Sequence, residues 1–431
     1  MFKKSKKSVF RILLILIRLL FRKYPFVFFI VKWLFITSII GICIGAASAF
    51  FLQTLEWATQ FRENHLWIII FLPLGGFLIG LLYHYFGKDV EAGNNLLLEN
   101  IHQPSKTIPF KMAPFVYLGT MMTHLFGGSA GREGTALQMA ASIADQFSKP
   151  LKLSKDERRI LIISAIAAGF GSVFGTPLAG AIFGLEVSLT GKIKYKALFP
   201  AISASLIADW VTKSLNTHHT HYLINFVPSI SFLNILYAVA AGLFFGICAA
   251  LFSKIIHKTG NLFKSKISYP PFRPLIGGII VLLSVWLMGT SKYIGLGIPT
   301  ILDSFSEELP AYDFALKAII TIITLASGFK GGEVTPLFFI GATLGNALGY
   351  FIPLPLALLA GMGFVAVFAG ATNTPIACSI MAIELFGYEC AVYVIIACVV
   401  SYLLSGQNSI YKSQILGKSK HKRYWKKEEY L

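Results

Sequence analysis

The stretch GGSAGREGTALQ, residues 127–138, sets Arg132 and Glu133 side by side among four glycines, between the apolar runs MAPFVYLGTMMTHLF and ALQMAASIADQF. A charge in such surroundings is expensive, and an ionisable residue at membrane depth is a functional candidate by default. Gly127, Gly128, Gly131 and Gly134 let backbone approach a ligand closely and permit unusual dihedrals. TALQMAASIADQF reads as a helix. A helix start offers free N–H groups and a positive dipole end, which together bind anions. Glu133 stands where such an anion would sit. A carboxylate can occupy an anion site and leave it when protonated, so Glu133 is a candidate gate that exchanges with an anion and carries a proton. The competing reading is a structural Arg–Glu pair. Adjacent side chains rarely pair directly, so Arg132 is expected to bond elsewhere, as a structural residue.

Three more loops offer helix starts. GNNLLLENI (93–101) supplies Asn94, whose amide donates hydrogen bonds. GGEVTPLFF (331–339) places Pro336 in a first helical turn, where its missing N–H is harmless, with Val334 and Thr335 at the entrance. TNTPIACS (372–379) repeats the Asn/Thr–Pro pattern.

These loops recur in register. GREGT (131–135) aligns with GGEVT (331–335), matching Glu133 to Glu333 and Thr135 to Thr335. FGTPLAGAIFGLE and TNTPIACSIMAIE each place a glutamate, Glu186 and Glu384, nine residues after a proline. Gly93 and Gly297 mark a glycine turn in each half. Two related halves, about 60–200 and 235–410, are expected. If they are inverted, their broken helices converge near the membrane midplane. Glu186 and Glu384 are read as structural partners at helix ends or at the contact between halves. Glu56, Glu91 and Glu99 are placed near the interface, and Asp145 as a cap or a water-facing residue.

Composition agrees with a membrane setting. Of 431 residues, 55% are hydrophobic and 13% charged, against about 25% charged in soluble domains. Lipid leaves backbone groups no water, so the secondary structure should be helical. Runs near 25–53, 66–86, 231–256 and 275–290 reach the length of a full span, about 20 apolar residues. Segments near 112–126, 134–148, 159–174, 177–190, 335–351 and 375–388 are short and broken by Gly or Pro, which is tolerated only where they pack on protein or line a wet cavity. Most of the net charge of +18 sits in basic ends, MFKKSKK, RILLILIR and FRKY at the start and GKSKHKRYWKKEEYL at the close. Basic flanks stay cytoplasmic, which places both termini there. No basic–aromatic interleaving points to nucleic acid. The basic stretch 255–274 is expected to be a loop, and LNTHHTHYLINFVP (215–228) the connector between halves, its histidines solvated. Five scattered cysteines suggest buried free thiols.

At this point the motifs resemble the CLC family of chloride channels and chloride/proton antiporters, and within it the bacterial fluoride/proton antiporter branch. The resemblance spans roughly residues 30–415 and rests on GNNLL at 93–97, GREGT at 131–135, GGEVTP at 331–336 and SIYKSQIL at 409–416. It implies an all-α polytopic fold of two inverted-topology repeats with many short, broken helices, about 16–18 in number. It implies a basic N-terminal segment 1–24, a membrane domain whose repeats with the connector run 25–230 and 231–410, and a basic tail 411–431. Glu133 becomes the external gating glutamate. Asn94 takes the place of the family's anion-binding serine, and Tyr411 matches its central tyrosine. The anion-binding set is then Gly93, Asn94, Gly131, Arg132, Gly134, Val334, Thr335 and Tyr411, with Glu333 and Thr335 as proton-path candidates. The second glutamate of the chloride antiporters falls at Val187, which cannot relay a proton. The implied activity is export of fluoride against entering protons by a homodimer in a bacterial inner membrane, with no cofactor, metal or nucleic acid. A chloride channel or chloride/proton antiporter is the alternative. A distant one is an intramembrane hydrolase, since GGSAG resembles a serine elbow and His124 lies nearby.

Overall fold

Backbone groups that cannot reach water must bond within the chain. The computed structural model describes residues 24–104, 106–190, 194–416 and 420, and among them it contains sixteen α-helices. The basic segment 1–24, apart from Tyr24, lies outside the described residues, as does most of the tail beyond Leu416.

The helices form two series of eight. In the first, α1 is Pro25–Asn64, α2 Leu72–Phe86 behind a 3₁₀ entry at Leu66–Phe71, α3 Asn94–His102, α4 Met112–Leu125, α5 Glu133–Asp145, α6 Lys155–Phe174, α7 Pro177–Glu186 and α8 Leu198–Ser214. In the second, α9 is Phe232–Lys266, α10 Phe272–Met288, α11 Ile298–Asp303, α12 Asp313–Ser327, α13 Val334–Leu348, α14 Leu356–Thr372, α15 Pro375–Phe386 and α16 Ala391–Leu404. Pro25–Asn64, Leu66–Phe86 and Phe232–Lys266 are long and apolar enough to cross a membrane. The fourth expected span, α10, reaches only 17 residues.

Local chemistry sets the ends. Ser154 and Glu157 form a reciprocal capping box at the start of α6, and Gly175 closes it in the left-handed conformation at φ +72°. Pro177 and Pro375 open α7 and α15. The basic stretch 255–274 departs from expectation: α9 continues through Lys266, and only a short turn precedes α10. Lys264 and Lys266 occupy its last turn, where cations suit the helix dipole. The chain turns only at Pro270 and Pro271, which cannot extend a helix.

The two series pack about a pseudo-twofold axis, because equivalent elements meet across it: α2 with α10, α5 with α13 and α7 with α15. At its centre the loops before α5 and α13 exchange backbone bonds. Gly131 N–H donates to Gly332 O (2.6 Å) and Gly332 N–H to Gly131 O (2.7 Å). Farther out the exchange is between side chain and helix start. Glu186 at the end of α7 accepts from Ile376 N–H (3.2 Å) and Ala377 N–H (2.9 Å) at the start of α15. Glu384 in α15 accepts from Leu178 N–H (3.0 Å) and Ala179 N–H (2.7 Å) at the start of α7. Each carboxylate satisfies two donors a helix start leaves open. This corrects the expectation for TNTPIACS: the first N–H groups of α15 are engaged by Glu186. Glu186→Ala or Glu384→Ala should each cost about 1.5–3 kcal/mol. Thermal unfolding in detergent should fall by similar amounts for the two, and unchanged midpoints would remove the exchange from the account.

Of the two readings of Asp145, a cap or a water-facing residue, the water-facing one fails. The residue is fully buried at the end of α5 and pairs with Arg158 of α6 (Nε to Oδ1, 2.7 Å). Glu56, Glu91 and Glu99 are exposed. A two-residue parallel pairing of Leu189–Thr190 with Ile415–Leu416 brings the end of the chain back beside α7. Among the described residues all five cysteines are free.

Candidate functional site

Three helix starts converge at the pseudo-twofold axis: α3 at Asn94, α5 at Glu133 and α13 at Val334. Gly93 turns the chain into α3 at φ +59°, a conformation that favours glycine. Glycines also let the starts approach. A Cβ on Gly134 would fall 3.0 Å from Asn94 Nδ2 and 3.1 Å from Gly332 Cα, and one on Gly332 would fall 2.7 Å from Gly134 N.

The Glu133 side chain leaves its own helix and crosses to the start of α13. Thr335 Oγ1 donates a short hydrogen bond to Glu133 Oε1, and Thr335 N–H donates to Oε2 (3.3 Å). Glu133 is fully buried. Its carboxylate therefore occupies the anion position that a helix start creates. Val334 is buried in the first turn of α13, and Glu333, half-buried, is its N-cap residue. Thr135, equivalent to Thr335, is turned away and shares a hydrogen bond with Thr120 of α4 (2.6 Å).

A narrow cavity is lined by Asn94, Leu97, Leu98, Leu137, Phe183 and Val187, with Tyr411 and Ile166 completing it. Asn94 Oδ1 and Tyr411 Oη are buried there without a partner. Buried polar groups are nearly always bonded to protein, water or a ligand, so the Tyr411 phenol is free to donate to a guest, while Asn94 Oδ1 can only accept. Tyr411 arrives from beyond α16, positioned by Ile410 N–H on Ala371 O (3.0 Å). Arg132, the N-cap residue of α5, is half-buried, and its Nε also lacks a partner. Its side chain makes no ion pair with Glu133, which is bound to Thr335.

Sequence reasoning missed two sets of residues. One is a polar scaffold behind the Glu133 loop. Arg62, 4% exposed, donates to His124 O (2.8 Å), and the fully buried Lys317 donates to Gly295 O (2.8 Å) and Tyr293 O (3.1 Å). These cations satisfy loop carbonyls that the broken helices leave open. The other is most of an aromatic column, of which only Phe170 and Phe174 stood out in the sequence, by their closeness to the Pro177 loop. Phe183 stacks on Phe170 (4.3 Å between centroids), Phe170 touches Phe174 (4.8 Å), Phe174 touches Phe338 (5.2 Å) and Phe338 stacks on Phe364 (3.9 Å). Phe338 lies three residues past Thr335, one helical turn along, which is the only signal the sequence offered for it. The hydrolase alternative loses its geometry. Ser129 lies beyond the end of α4, its Oγ is bonded to Thr321 Oγ1 (2.8 Å), and His124 Nε2 lies 3.5 Å from Gly131 O.

Residues 75–406 match the voltage gated chloride channel family. Over 401 residues the chain is 49% identical to a chloride/fluoride channel protein of Pseudomonas syringae pv. tomato, covering 92% of this chain and 89% of that protein. The crystal structure of a CLC-type fluoride/proton antiporter superposes with a TM-score of 0.87 at 35% identity, covering 90% of this chain and 98% of that one. A slow cyanobacterial Cl−/H+ antiporter shares the fold at a TM-score of 0.77 and 19% identity, covering 88% of this chain and 96% of its own. Matching motifs, inverted repeats and near-half identity over almost the whole length lead to one assignment: the chain belongs to the voltage gated chloride channel (CLC) family of multi-pass membrane ion transporters.

Proposed function

We propose that the protein exports fluoride in exchange for entering protons, with Glu133 as both anion gate and proton carrier. One observation carries this reading: the Glu133 carboxylate rests on the O–H and N–H of Thr335 at the start of α13. When Glu133 takes up a proton it loses the charge that these donors and the helix dipole hold. A fluoride ion is then the better acceptor, and the neutral side chain leaves with its proton.

The donor set suits a small, hard anion, which gives up tightly held water only to strong donors. Thr335 offers hydroxyl and amide, Asn94 an amide and Tyr411 a phenol. Val187 lines the narrow cavity and cannot relay a proton, so the proton travels on Glu133, with Thr335 and Glu333 beside it. The relatives lend support: one is named a chloride/fluoride channel protein and one structure is of a fluoride/proton antiporter. The same reading places a homodimer in the plasma membrane, with one route per subunit, both termini cytoplasmic and the repeats at 25–230 and 231–410.

Purified protein in liposomes, with fluoride, chloride and pH followed under a proton gradient, tests this directly. Fluoride should move against protons while chloride moves little; equal chloride exchange would favour the chloride antiporter instead. Asn94→Ser, which shortens the donor at the start of α3, should reduce fluoride-over-chloride selectivity by roughly tenfold. Unchanged selectivity would take Asn94 out of the discriminating set.

A further inference from the structure

The connector between α8 and α9 folds back over the junction of α6 and α7. Gln53, late in α1, holds its first turn by donating to Leu215 O (2.7 Å). The connector encloses a cavity of ≈ 220 Å³ lined by Gly175, Thr217, His219, Lys213 and Glu384, with His218 and His221 at its rim. That is room for several molecules the size of water, each of which takes about 30 Å³ in the liquid.

Unpaired donors gather here. Both ring nitrogens of His219 are buried without a hydrogen bond of ordinary geometry, although the Val173 carbonyl lies near. Thr217, 7% exposed, lines the cavity with a hydroxyl that has no partner; Thr176 and Arg132 Nε are also unpartnered but lie outside the lining, Arg132 close enough to act on His219 through its charge. His219 packs so closely on the end of α6 that a Cβ on Gly175 would fall 2.6 Å from its ring. Burial, then the charges of Arg132 and Lys213, push His219 down to about 4. It is therefore neutral near pH 7 and presents one N–H. Of the nearby carboxylates, Glu384 accepts from Leu178 and Ala179 N–H, and Asp209 accepts from Lys213 through Oδ2 (2.8 Å) while its Oδ1 has no partner. Arg132 is left as a cation without an ion pair among the described residues, one position from the gate.

We propose that this cavity is an outer waiting site for a small, hard anion of the fluoride class, held by His219 and Thr217 with Arg132 supplying the charge. It rests on the transport reading and adds a station beyond Glu133. An anion released when Glu133 returns to Thr335 pauses there before it is fully hydrated. In the reverse direction the same station loads it.

The test is fluoride uptake into proteoliposomes, read with a fluoride electrode over a wide range of bath fluoride. Protein inserts in both orientations, so the bath titrates both faces and yields two half-saturation components. His219→Ala should shift one component about three- to tenfold to higher fluoride and leave the other in place. Thr217→Val should act on the same component. His219→Gln, which keeps an N–H donor, should largely restore it. A cavity filled by water only predicts no shift in either component and overturns the proposal, as does an equal shift of both. If the unsubstituted protein takes up no fluoride, the transport reading itself fails; normal uptake with unresponsive variants removes only the outer site.

Discussion

Glu133→Gln should abolish proton-coupled fluoride turnover, by at least roughly 10²-fold, the lower range for losing a positioned proton carrier. Glutamine has nearly the same shape and can still accept from Thr335. It cannot take a proton and give it back within the working pH range, and it carries no charge to compete with an anion at the start of α13. The exchange cycle we propose needs both properties from one side chain. The two hydrogen bonds at Thr335 place that side chain where an anion would bind. Fluoride and proton fluxes should therefore stop together while elution and thermal unfolding stay as in the unsubstituted protein. A Glu133→Gln protein that still drove fluoride with protons at an ordinary rate would sink the gate, and Glu333 would become the group to examine.

The largest effect expected on stability comes from Asp145→Ala, at about 3–5 kcal/mol. Asp145 is fully buried and accepts from Arg158 Nε (2.7 Å), Arg158 Nη2 (2.8 Å) and Ile108 N–H (2.7 Å). The same Arg158 Nη2 donates to Asn100 Oδ1 (2.9 Å) and Lys106 O (2.8 Å). Truncation leaves a buried guanidinium without its counter-charge and an amide without an acceptor. Replacing both partners by apolar residues removes the charge with its partner, so Asp145→Leu with Arg158→Met should recover part of the loss. The network ties the ends of α3 and α5 to the start of α6, and Asn94 and Glu133 begin α3 and α5. Weaker fluoride exchange is thus expected along with a lower unfolding midpoint. If Asp145→Ala unfolds at the same temperature as the parent, the pair is not structural in the sense described.

The two residues also show where sequence reasoning stops. Glu133 was legible because its signal is local: a carboxylate among glycines at the start of a helix, echoed by Glu333 in a second copy. Asp145 was not, because nothing near it in the chain hints at burial. Its partner sits thirteen positions away across a turn, and the third member, Asn100, lies on another helix. The helical run of α9 through Lys266 was hidden for a related reason. Lysines look like loop composition, yet they are comfortable at the exposed end of a long helix, where their stems can lie along apolar surface.

Membrane character, the two-fold repeat, the broken helices and the carboxylate we propose as gate all belong to the sequence, because hydropathy, glycine and proline placement and helix-start chemistry act within a few residues. Tertiary structure alone decided which helix start Glu133 occupies, since Thr335 lies 202 positions away. It alone fixed which helix starts Glu186 and Glu384 bond across the contact between halves, and it left Thr217 and His219 of the connector unpaired. Those outcomes depend on which surfaces meet when the two repeats pack about their axis, and no run of neighbouring residues encodes that meeting.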